Sequence, residues 1–102
     1  MFHFGDVTWP GLAKLAEESG EVVQVIAKLI AVNGDPAAHW EGSDLRERLI
    51  EEIGDLQAAI SFVGGEMTHA ERAQITERAR DKLNLFRRWH YEQRMSADPV
   101  TS

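Results

Sequence analysis

Leu15-Ala16-Glu17-Glu18-Ser19-Gly20-Glu21 and Leu49-Ile50-Glu51-Glu52-Ile53-Gly54-Asp55 are nearly the same word, written twice, 34 residues apart. Each continues to a matching isoleucine, Ile26 and Ile60. Apolar residues recur around each word at helical spacing: Leu12, Leu15, Val22, Ile26, Leu29 and Ile30 around the first, Leu45, Leu49, Ile53, Leu56, Ile60 and Val63 around the second. Both words therefore belong on amphipathic helices. Two copies are too few for a solenoid, so the pattern reads as two helices with equivalent jobs.

The punctuation outside the words sets the helix ends. Pro10 suits an early helical position, with Thr8 as a cap before it. Asn33-Gly34-Asp35-Pro36 combines a left-handed cap with a residue that cannot continue a helix, so the first helix is expected from about Pro10 to Val32. Asp35 to Gly42 reads as a loop. Ser43 or Asp44 caps the second helix, with Glu47 in capping-box register to Asp44, and Gly64-Gly65 ends it. Thr68-His69-Ala70-Glu71 is a capping box opening a third helix to about Gln93, with Ile75, Ala79, Phe86 and Trp89 on one side. Residues 96–102 are small and polar and read as a flexible tail after a single domain over 1–95. The expected fold is all-α, an antiparallel bundle with short loops. Three amphipathic helices are too few to cover both sides of the acidic words, so a four-helix core completed by a second copy is expected, as a homodimer or homotetramer.

Composition narrows the function. The chain has 102 residues, no cysteine and a formal charge of −6. A disulfide scaffold, a thiolate zinc site and a cysteine nucleophile are excluded, and a cytoplasmic location fits. Met1 to Pro10 lacks a basic start followed by an apolar run, so no signal peptide is expected. No apolar run approaches the roughly 20 residues of a membrane span. The acidic balance argues against nucleic acid as a partner. The charge is also uneven: residues 1–66 hold 12 acids and 4 bases, residues 67–102 hold 5 acids and 7 bases.

Glu18 and Glu21 are three apart and share a helix face, as do Glu52 and Asp55. In both helices the pair lies beside the apolar stripe. Packed side by side, the helices would bring four carboxylates to the edge of the core, where like charges repel and lose hydration. A lone Glu-x-x-Glu is most often a solvated face. Two matching copies flanked by core residues favour a hard divalent cation, magnesium or manganese, over zinc or copper. Gly20 and Gly54 each cost a helix about 1 kcal/mol against alanine. Their equivalent places between the acids point to close backbone approach or room for a ligand. Glycine-rich phosphate loops are absent. Glu66-Met67-Thr68-His69 has the spacing of di-iron bundles, but it falls on a helix break and occurs once.

The paired words resemble the metal-binding signature of the MazG-like, all-α nucleoside triphosphate pyrophosphohydrolases. Lys14 to Glu21 and Glu51 to Leu56 look like that family's two core helices. Asp81-Lys82-Leu83-Asn84-Leu85-Phe86-Arg87-Arg88-Trp89 is similar to a basic, aromatic segment of its later helix. The likeness covers about residues 12–92, and the spacer of residues 22–51 is slightly long for the family. The resemblance implies magnesium-dependent hydrolysis of a (deoxy)nucleoside triphosphate to its monophosphate and pyrophosphate. It implies Glu18, Glu21, Glu52 and Asp55 as metal ligands, with Glu18, Glu17 or Glu51 orienting the water. Lys82, Lys14 and Arg78 are candidates for phosphate contact. Trp40, in a loop, is the best placed of the tryptophans to stack on a base. The rival from another class is a helical interaction module whose carboxylates are merely solvated.

Overall fold

A computed structural model of the chain describes residues 9–33, 35, 39–40 and 43–97. It forms two compact units, Met1–Glu66 and Met67–Ser102, divided where the charge changes sign. The fold is all-α, and the described residues form three helices: α1 (Gly11–Ala31), α2 (Leu45–Gly64) and α3 (His69–Ala97).

Local chemistry accounts for the helix ends. The Pro10 carbonyl accepts the Lys14 N–H at 2.9 Å, with no side-chain cap from Pro10 itself. Thr8, the expected cap, lies outside the described residues. At the other end Asn33 adopts a left-handed φ of 59°, which asparagine tolerates better than most residues and which turns the chain out of α1. The Glu47 N–H donates to Asp44 Oδ1 at 3.1 Å, so Asp44 rather than Ser43 caps α2. The capping box of α3 is complete: the Thr68 N–H donates to Glu71 Oε1 at 2.8 Å, and the Glu71 N–H donates to Thr68 Oγ1 at 3.1 Å. α3 runs on to Ala97, carrying Ser96 and Ala97 that the sequence assigns to the tail.

The connection expected as an open loop contains a small antiparallel pairing. β1 (His39–Trp40) pairs with β2 (Ser43–Asp44) in the register His39 to Asp44 and Trp40 to Ser43. Asp44 thus ends a strand and caps a helix at once.

Within the first unit α1 and α2 pack as an antiparallel hairpin, with Trp9 beside Phe62 and Glu18 beside Asp55. The seam keeps Leu15, Val22, Leu29, Leu45, Leu49, Leu56 and Val63 of the expected stripes, but Leu12, Ile26, Ile30, Ile53 and Ile60 fall outside it. Gly11 and Val25 are buried on α1, with Leu15, Glu18, Val22 and Leu29 half-buried; Leu45, Glu52, Ala59 and Val63 are buried on α2. Ile26, Ile53 and Ile60, placed by periodicity in the core, are exposed. Counting the bulkiest side chains misses part of the seam, because Gly11, Ala59 and two glutamates also lie where the helices touch.

This seam gives the hairpin two unlike sides. Successive helical residues are about 100° apart, so in an antiparallel pair the residues just after the seam positions share one side. These include Leu12, Val23, Ile26 and Ile30 on α1 and Ile50, Ile53 and Ile60 on α2, with Arg46 the one charge among them. The residues just before the seam positions share the other side. They include Lys14, Glu17, Glu21 and Lys28 on α1 and Arg48, Glu51 and Asp55 on α2.

In the second unit Ile75, Phe86 and Trp89 share α3 and are exposed, with the Phe86 and Trp89 rings 5.7 Å apart. No helix among the described residues is long and apolar enough to cross a membrane.

Candidate metal centre

Each acidic word places one carboxylate in the seam. Glu18 stands between Leu15 and Val22 on α1. Glu52 lies between Leu45 and Ala59 on α2 and is the one buried charged residue among those described, 8% exposed. Asp55 is one turn further on, at the charged side of the hairpin. Carboxylate oxygens of Glu18, Glu52 and Asp55 all lie within 4.8 Å of one another. Three carboxylates converging from two helices form a hard, anionic oxygen set, the donor chemistry that magnesium and manganese prefer.

The electrostatics show the strain of this arrangement. The pKa of Glu18 is raised from its ordinary 4.5, first by loss of hydration and then by the negative charges of Asp55, Glu17, Glu21 and Glu52. The native state therefore holds this proton more tightly than the unfolded chain does. The metal-free protein should lose stability as pH rises from about 4.5 through the raised value, and the loss should level off above it. Saturating magnesium should restore stability above that window, because a cation replaces the proton. Thermal melts across pH, with and without magnesium, read both effects; a metal-free melting temperature that rose through this window would contradict the assignment.

One cation pairs with the cluster and a second stands beside it. Arg48 Nη2 lies 3.7 Å from Glu52 Oε1, both side chains being largely shielded. Arg48-x-x-x-Glu52 is an ordinary helical i,i+4 spacing, readable in the sequence but not taken up there. Lys14 Nζ lies 3.3 Å from Glu17 Oε2, an exposed pair next to Glu18 in the chain.

The remaining candidates are placed as follows. Glu21 is half-buried on α1 and adds to the field at Glu18, but it stands outside the converging three. Glu51 is exposed on α2. Arg78 and Lys82 share a face of α3 with Ile75 and Ala79, in the second unit. The backbone of Trp40 is in β1, and its side chain lies outside the described residues. Gly20 and Gly54 are not close-approach positions within this chain: an added Cβ at either would meet nothing within 4 Å. Each lies about 200° round its helix from Glu18 or Glu52, on the back of the hairpin and away from the carboxylates.

A groove of about 260 Å³ opens beside the cluster, lined by Lys14, Glu18, Asp55, Ala58, Ala59 and Phe62. Phe62 is half exposed, and its ring lies 5.9 Å from that of Trp9, tilted by 43°. Phe62 follows Asp55 by seven residues and so returns to the same side of α2, a signal present in the sequence.

Comparison of the chain with protein-family models, with curated proteins and with solved structures finds no match.

Proposed function

We propose that the chain is a magnesium-dependent nucleoside triphosphate pyrophosphohydrolase of the MazG-like kind. The observation that carries this reading is the convergence of Glu18, Glu52 and Asp55 from two separate helices. Two of the three, Glu18 and Glu52, stand in the seam between the helices rather than on a solvated face. A bound magnesium or manganese ion would neutralise a polyphosphate and acidify a bound water.

The chain's own residues supply the rest. Glu18, Glu52 and Asp55 are the proposed ligands, with Glu21 holding further negative charge close by. The water attacks phosphorus at the α–β linkage, and the bond to the bridging oxygen breaks, giving a nucleoside monophosphate and pyrophosphate. Among the carboxylates considered for orienting that water, Glu17 is engaged by Lys14 and Glu51 is exposed. Glu18, which belongs to the converging three and lines the groove, orients the water in this reading. Lys14, at the groove edge, contacts a phosphate.

The apolar side of the hairpin supports self-association. A second copy laid on Leu12, Ile26, Ile30, Ile53 and Ile60 makes a four-helix core. With Arg46 the one charge on that side, identical faces meet with little like-charge repulsion. A solution mass of twice 11.5 kDa or more is expected; a strict monomer would remove this part. The lack of cysteine fits a reducing, cytoplasmic setting.

The direct test is pyrophosphate release from a panel of canonical and modified nucleoside triphosphates, with magnesium and with chelator. Release is expected from at least one substrate and only with metal. An interaction module with solvated carboxylates would release none.

A further inference from the structure

We infer that the groove between Lys14 and Phe62 seats the planar base of the nucleotide, with Phe62 as the stacking platform. The inference rests on the hydrolase reading and names the part of its substrate that the chain grips.

Size argues first. At about 260 Å³ the groove is just below the roughly 300 Å³ at which whole small-molecule sites begin. It fits one moiety of a ligand, and its two ends are chemically different. One end carries Glu18 and Asp55. The other carries Ala58, Ala59 and the half-exposed Phe62, with Lys14 of α1 lining the groove as well. A ligand with an anionic, metal-bound end and a flat apolar end matches that polarity. A bare polyphosphate would leave the Phe62 end unused.

Phe62 is also held in place. Trp9 is buried, 5% exposed, and backs the Phe62 ring. Trp9 in turn needs Gly11, where a Cβ would overlap the indole. Gly11, Trp9 and Phe62 thus form a chain of contacts from the start of α1 to the end of α2. It leaves half of one aromatic ring bare beside the carboxylates. A platform fixed before binding loses little side-chain freedom when a ring stacks on it. The other exposed large apolar side chains described on this hairpin, such as Ile26, Ile53 and Ile60, stand on the opposite side, away from the acids.

The test is calorimetric titration of the full chain in magnesium. The probes are α,β-methylene analogues of purine and pyrimidine nucleoside triphosphates, which resist cleavage, and inorganic tripolyphosphate, which has no ring. Stacking on an aromatic side chain is worth on the order of tenfold or more in affinity. At least one ring-bearing analogue should therefore bind about tenfold tighter than tripolyphosphate. Phe62→Ala should remove that advantage and leave tripolyphosphate affinity unchanged. Phe62→Trp should keep the advantage. Phe62→Leu should lose it while preserving apolar volume against Trp9, which covers the case in which the alanine variant unfolds. An advantage that survives in Phe62→Leu, or tripolyphosphate binding as tightly as every analogue, would overturn the base-binding groove and leave the hydrolase reading standing. Binding of none of the probes in magnesium would overturn both.

Discussion

Pyrophosphate release should fall by at least about a hundredfold when Glu52→Gln and Asp55→Asn are combined, since loss of groups merely supporting a metal ligand already costs 10- to 100-fold. The chain should remain helical. Glutamine keeps the shape of Glu52 in the seam, and Arg48, about a third exposed, can turn to water once its partner is neutral. Asp55 is exposed, so asparagine there disturbs no packing. Removing two negative charges also relieves Glu18, whose pKa both carboxylates help to raise. The metal-free variant should therefore melt no lower than the parent at neutral pH, while magnesium should no longer raise its melting temperature. Ligand binding to the native state alone is worth about 2.7 kcal/mol at a hundred times Kd, so the lost response is large enough to read. An active double variant would end the metal assignment. An inactive variant that still responds to magnesium would move the ion elsewhere in the chain.

Leu45→Ala is the substitution expected to hurt the fold most, by about 2–5 kcal/mol. Among the described residues, Leu45 and Val25 are the two large side chains that are fully buried. Leu45 also stands directly after Asp44, where β2 ends and α2 is capped. A core with so few fully enclosed residues has little to redistribute into the cavity. Set against a total stability of about 5–15 kcal/mol, the loss should lower Tm by roughly 10 °C or more. Ile26→Ala, exposed on the apolar side, is the control. It should leave the stability of the isolated hairpin packing nearly intact and act instead on self-association. Equal destabilisation by the two substitutions would mean that the seam is misplaced.

Helix number, helix ends and the acidic words are readable from the residues, because each is set by neighbours within four positions. Asp44 with Glu47, Thr68 with Glu71 and the left-handed Asn33 are all local devices. What the sequence hides depends on how α1 lies against α2. Periodicity ranks Ile53 and Ile60 above Ala59 and Glu52, yet close packing of the antiparallel pair puts the small and charged residues in the seam. The same register decides that Glu18 meets Glu52 and Asp55 and leaves Glu21 aside. Sequence spacing shows that Glu18 and Glu21 share a face but not which carboxylate crosses to the other helix. The Phe62 end of the groove is hidden for a related reason: it exists where the start of one helix meets the end of the other.

Glu52 occupies a place where a leucine would join Leu45, Ala59 and Val63 in an unbroken apolar line along α2. Replacing buried ionic groups by well-packed hydrophobic ones is often neutral or stabilising. A screen that rewards thermal resistance alone should therefore enrich apolar residues at position 52, and the proteins it returns should be sturdy and inert. In the proposed hydrolase, durability and chemistry compete for the side chain at position 52, so engineering for activity would hold it fixed and seek stability on the opposite flank.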